Sequence, residues 1–179
     1  MNTALADALP AAAVQTAPVL RPYEARDHAE VVDLITSIQQ DEFSLPIAYD
    51  DQFDLKDMEG TSRRGKGNFW VACAGGRVIG TVGLIDAGGG MAAVKKMFVR
   101  REYRGAPWGV AQKLLDVLLD WARAREIRDL YLGTTERFVV AQRFYERNGF
   151  RVIADEKLPS AIVATRAQVD TKHYHRSLV

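Results

Sequence analysis

The stretch that most constrains this chain runs over residues 97–122, MFVRREYRGAPWGVAQKLLDVLLDWA. It reads as the end of a strand, a basic turn rich in small residues, and a long amphipathic helix. Val110, Ala111, Leu114, Leu115, Leu118, Trp121 and Ala122 recur at helical spacing and predict one broad buried face. Pro107 cannot sit inside a helix and Gly105 favours a bend, so the helix is expected to begin at about Gly109. Acidic residues are missing from its first turn, where they would complement the helix dipole, and Arg100, Arg101 and Arg104 lie just upstream. Open backbone N–H groups, small residues and nearby arginines suit a phosphate or pyrophosphate. The same residues also fit an ordinary strand-to-helix turn with solvated arginines.

A second stretch, residues 134–150 (TTERFVVAQRFYERNGF), predicts a short helix closed by Asn148-Gly149, with a strand starting at Phe150. The two stretches in this order closely resemble the GNAT superfamily of acyl-CoA-dependent N-acyltransferases. The resemblance spans residues 19–178 and is most specific over 94–153. In that family the first turn binds the pyrophosphate of acetyl-CoA through Gln/Arg-x-x-Gly-x-Gly/Ala. Here Gly109-Val110-Ala111 keeps the Gly-x-Ala, Trp108 precedes it, and Arg104-Gly105 lies upstream as in many members. Ala106 stands where Gln or Arg is usual, and Phe138 where many members carry a cofactor-contacting Asn. The second helix matches at Ala141, Phe144, Tyr145, Gly149 and Phe150, and Phe144 reads as a core aromatic together with Val140.

The resemblance implies an α/β fold of the GNAT type, a mixed sheet with mostly antiparallel N-terminal strands, splayed central strands and helices on both faces. Chain order agrees with it. A first strand is expected over 18–26, then a helix from an Asp27 N-cap to about Gln40, with Val31, Leu34, Ile35 and Ile38 inward. Residues 40–55 read as an irregular acidic wall, which in the family borders the acceptor pocket, and 58–67 as an exposed loop. Residues 68–74 and 77–86 form a hairpin turned by Gly75-Gly76, and 91–99 is the next strand after Gly88-Gly89-Gly90. Strands follow at 129–134, from 150, and at 171–178, with a loop through Pro159. Residues 1–17, Ala-rich and without the basic start of a signal peptide, are expected to be a flexible lead-in to one domain over 18–179.

Composition narrows the function. At 179 residues with 47% hydrophobic content the chain can bury one core. A net charge of +1 gives no general attraction to nucleic acid or membrane, and no apolar run nears the roughly 18 residues of a membrane span. The single cysteine, Cys73, lies in an apolar run and reads as packing. The cytoplasm is the expected location. His173 and His175 share a strand face, but without a third ligand in a recognisable pattern no metal is expected.

What the resemblance implies for chemistry is transfer of an acetyl group from acetyl-CoA to the primary amine of a small molecule. Backbone groups between Gly105 and Ala111 would hold the pyrophosphate. Met97, Phe98 and Val99 would pair with the pantetheine arm and polarise the thioester. Tyr145 would be the general acid, since a phenol with pKa about 10 stays protonated and can donate to a thiolate. Ala141, one turn away, leaves room for the sulfur. Among Asp41, Glu42 and Asp86, Glu42 is taken as the general base. Lys95 and Lys96 lie mid-strand, where alternation predicts opposite faces; one is a candidate to meet a carboxylate on the acceptor, against the alternative of a surface lysine or one paired with a protein carboxylate. A homodimer is a further expectation from the family. Two other readings stand beside this one: a non-catalytic acyl-CoA sensor, and an enzyme that acetylates a protein N-terminus or lysine.

Overall fold

The computed structural model describes residues 16–179; most of the expected lead-in, residues 1–15, lies outside them. Seven strands form one sheet in the order β1-β2-β3-β4-β5-β7-β6. They are β1 Val19–Pro22, β2 Asn68–Ala74, β3 Arg77–Gly88, β4 Met91–Val99, β5 Asp129–Thr134, β6 Arg151–Ile153 and β7 Lys172–Ser177. The first four pair antiparallel, and β4 then pairs parallel with β5. That is the mixed sheet with an antiparallel first half that the sequence led us to expect.

The helices divide between the two faces. On one face lies α4, Val110–Ala124, whose fully buried Leu114, Leu115 and Leu118 pack with Trp70, Val82, Val94 and Leu130 of the sheet. Truncating any of these leucines to alanine would cost about 2–5 kcal/mol. The helix starts tightly against β3: a β-carbon at Gly80 would come within 3.0 Å of Val110. Beside it α5, Val139–Arg147, contributes Tyr145 to the same core. The opposite face carries α1 (His28–Thr36), α2 (Phe53–Lys56) and α3 (Met58–Ser62), with Leu34, Ile35, Leu55 and Met58 against Phe69 and Val71. Further along that face α6, Ser160–Val163, covers Ile85, Ala93 and Tyr131.

Three expectations need correction. Residues 58–67 hold the short helix α3, because Met58 and Ser62 are buried rather than exposed. The loop after β6 contains α6, whose Ile162 reaches the core. Val140, taken as a core partner of Phe144, is 79% exposed.

Two irregularities position the site. Parallel pairing of β4 with β5 covers Met91–Asp129, Ala92–Leu130 and Ala93–Tyr131, so beyond Ala93 the two strands no longer pair and diverge. Within β4, Phe98 pairs with Thr81 and Lys95 with Gly83, so Lys96 and Met97 together oppose Val82 alone. This is a β-bulge, and Lys96 takes the left-handed conformation at φ 50°. Thr81, fully buried, donates its hydroxyl to the Lys96 carbonyl at 2.7 Å and so holds the bulge in place.

Candidate functional site

The turn between β4 and α4 is built from backbone. Gly105 and Gly109 have φ of 73° and 58°, values that cost an L-residue about 1 kcal/mol or more. A β-carbon at either would meet nothing within 4 Å, so the turn faces open space. Among the described residues no side chain caps α4 and the N–H groups of Val110 and Ala111 bond to no backbone carbonyl, and the first turn of the helix holds no acidic residue. These are the conditions for anion binding at a helix start. Tyr103 and Trp108 pack beneath the turn with ring centres 6.2 Å apart. Ala111 is half-buried against the α4 core.

Met97, Phe98 and Val99 line the opening beside this turn. Met97 leans towards the α4 core and Phe98 towards the α1 side, where its ring lies 6.1 Å from that of Phe138. Phe138 in turn meets Phe43 edge-on at 4.7 Å. Phe43 belongs to a segment that continues α1 through a π-helical turn, Ser37–Glu42, and crosses the opening. Two arginines tie that segment down. Arg137 donates to the carbonyls of Phe43 and Ser44, each at 2.9 Å. Arg104 forms a two-point ion pair with Glu42, one contact at 2.8 Å, and also donates to the Val99 carbonyl at 2.7 Å.

That ion pair bears on two sequence expectations at once. The Arg104 hydrogen bonds hold the Glu42 carboxyl below its ordinary range, which makes it a poorer proton acceptor. Glu42 in this arrangement tethers Arg104. Asp41 is exposed, and Asp86 is committed to the N–H groups of Lys66 and Gly88, each at 2.9 Å.

Tyr145 is buried among the rings of Phe144, Phe150 and Tyr174. Its hydroxyl makes no hydrogen bond among the described residues. Burial, and then the negative charge of Asp170, push its ionisation well above the usual phenol value, so it stays protonated throughout the physiological range. Ala141 is half-buried one turn earlier on the same helix.

The far side of the opening carries charge that alternation did not foresee. The bulge turns Lys96 onto the same face as Lys95, instead of the opposite one. Lys96 Nζ lies 2.6 Å from Gln52 Oε1 and 3.1 Å from Asp54, and Gln52 is held in turn by Gln39. Lys95 donates to the Thr165 carbonyl at 2.8 Å and lies 4.0 Å from Asp170. Burial lowers the Lys96 ammonium from its ordinary value, with Asp54 opposing the shift. Both lysines therefore answer protein carboxylates, which removes the reason to assign either to a carboxylate on the acceptor. Asp54 and Asp170 carried no sequence signal, because nothing local marks an acidic residue for burial against a strand far along the chain. His173 Nδ1 meets Asp155 at 2.7 Å and His175 Nε2 meets Asp129 at 2.8 Å, so each imidazole has its own carboxylate.

Comparison with known proteins agrees with this geometry. An acetyltransferase of the GNAT family from Staphylococcus aureus Mu50 is 37% identical, covers 91% of this chain and all of its own, and superposes with a TM-score of 0.87. A probable N-acetyltransferase camello from Xenopus tropicalis is 36% identical over 97 residues, 52% of this chain and 43% of that protein. The N-acetylaspartate synthetase of Xenopus tropicalis is 32% identical over 103 residues, 55% of this chain and 36% of its own length. The chain thus spans less than half the length of these two curated relatives. The model of the acetyltransferase (GNAT) family matches residues 32–150, which takes in the second half of α1, the diverging strands, the α4 turn and α5. With more than half of its length so matched, the chain belongs to the acetyltransferase (GNAT) family, a family of acyltransferases.

Proposed function

We propose that the protein transfers an acetyl group from acetyl-CoA to the primary amine of a small molecule, by direct attack of the amine on the thioester. What supports this reading is the combination of a buried phenol, Tyr145, a pair of strands that stop pairing after Ala93, and an uncapped helix start. Bound acetyl-CoA would supply the activated acyl group. The N–H groups of Val110 and Ala111 would receive its pyrophosphate with the α4 dipole behind them. The edge of β4 at Met97–Val99 would pair with the pantetheine arm, and a main-chain N–H there would stabilise charge on the thioester oxygen. Tyr145 would then donate its proton to the departing thiolate; the thiol is the stronger acid by more than a pKa unit, so this step is uphill and is completed when the tyrosinate recovers a proton from the attacking nitrogen. An amino acid is a reasonable first acceptor, given the likeness to an N-acetylaspartate synthetase.

Free-thiol release from acetyl-CoA, measured across a panel of amines, amino acids and short peptides, tests this. Wild type should release thiol only with an acceptor. Tyr145→Phe should lower kcat by about 100-fold while acetyl-CoA binding is retained. Tight cofactor binding with no turnover on any acceptor would instead support a sensor.

A further inference from the structure

Among the described residues one buried side-chain polar atom has no hydrogen-bond partner, Nε2 of His173. An orphaned buried imidazole nitrogen costs free energy and calls for a reason. We propose that His173 is the general base of the acetyl transfer, accepting the proton of the acceptor ammonium through a water held at Nε2. The proposal rests on the acetyltransferase reading given above.

Three observations support it. Asp155, at 2.7 Å from Nδ1, fixes the proton on that nitrogen and leaves the Nε2 lone pair as the acceptor, the orientation a histidine base requires. The residue stands one strand from the opening: His173 lies opposite Gly133 in the β5–β7 ladder, and Gly133 lies past the last residue of β5 that pairs with β4. Finally, the neighbouring groups are those of the reaction. A β-carbon at Gly133 would collide with the Asp170 carboxylate, so Asp170 lies over that strand position. Asp170 also reaches Lys95 of β4 and exerts its charge on Tyr145. Asp170 thus links the strand position opposite His173 to both Lys95 and Tyr145.

Proton and bond changes balance. The ammonium passes a proton by way of the water to Nε2, and the freed amine attacks the thioester carbonyl to form the C–N bond. Collapse breaks the C–S bond, and Tyr145 protonates the thiolate. The nitrogen returns its second proton to the tyrosinate, and His173 releases the first to solvent. The charged groups around the imidazole are Asp155 with Arg166 on its outer side, Asp170 with Lys95 across Gly133, and the His175–Asp129 pair two residues along β7.

The test is the pH dependence of kcat/KM between pH 5.5 and 9, with acetyl-CoA affinity and a thermal melt recorded for each variant of the whole chain. His173→Gln should lower kcat about 100-fold and abolish the acidic limb, with acetyl-CoA affinity unchanged. His175→Gln, on the same strand face, should keep the wild-type profile. Asp155→Asn removes a charge that favours the imidazolium, so it should move the acidic limb to lower pH. A His173→Gln enzyme with the wild-type limb and kcat within about threefold overturns the proposal. Should His173→Gln fail to melt cooperatively, Asp155→Asn decides, and an unmoved limb overturns it. No acceptor-dependent turnover by wild type overturns the acetyltransferase reading and this proposal with it, whereas turnover with an unaltered variant overturns only this one.

Discussion

The two sides of β4 are built on different principles. On the α4 side the site is made of backbone: two left-handed glycines, an uncapped helix start and a strand that no longer pairs with β5. Few side chains there matter beyond being small. On the α1–α3 and α6 side it is made of side chains drawn from distant parts of the chain, with Lys96 on Asp54, Lys95 on Asp170 and His173 on Asp155. Backbone recognition suits a ligand whose chemistry is fixed, such as a pyrophosphate. A network of paired charges can be altered one residue at a time, which suits that side to the proposed acceptor.

The contrast can be tested by breaking each side. The largest effect should come from Asp54→Ala, which strands the Lys96 ammonium where both partners are over nine-tenths buried. We expect a loss of about 3 kcal/mol in urea unfolding. The exposed pair Lys56–Asp50 supplies the comparison, and Asp50→Ala should cost less than about 1 kcal/mol. A similar cost at both sites would mean that the buried network does not support the fold.

Gly109→Ala should act on the other side, at about 1 kcal/mol in stability for the left-handed backbone. Its methyl group would project into the open space before α4, so acetyl-CoA affinity measured by titration calorimetry should fall about tenfold, or about 1.4 kcal/mol. Unchanged affinity would place the pyrophosphate elsewhere.

Glu42→Gln should have the smallest effect, less than about 1 kcal/mol, because the pair is partly solvated. Its pH dependence has a definite sign. Arg104 lowers the folded-state pKa of Glu42 below its ordinary 4.5, so the pair stabilises the fold above that value and the contribution is lost as pH falls through the lowered one. The variant should lack this acid-side loss in melts taken between pH 3 and 6. An identical acid limb in wild type and variant would show that the tether is not formed in solution.

Legibility in the sequence followed the same division. The α4 stripe, the turn glycines and the hairpin at Gly75-Gly76 could be read directly, since each depends on periodicity or on one residue's conformational range. The short helices α3 and α6 were missed because each is about one turn long and too short to display a period. His173 and His175 were read only as metal-ligand candidates, and their spacing could not reveal that each would find its own aspartate.

By itself, the sequence determined the order of strands and helices, the amphipathic face of α4 and the small-residue turn before it, because these arise from interactions within a few residues. Only the tertiary structure decided which way the two lysines face. A single extra residue in β4 shifts the phase of a period-two strand, and the shift shows only in the register against β3. It also decided which carboxylates are buried and whose charge they answer, and which imidazole nitrogen is left without a partner. The free energy of a buried charge is set by the partner it meets across the fold, and no local pattern names that partner.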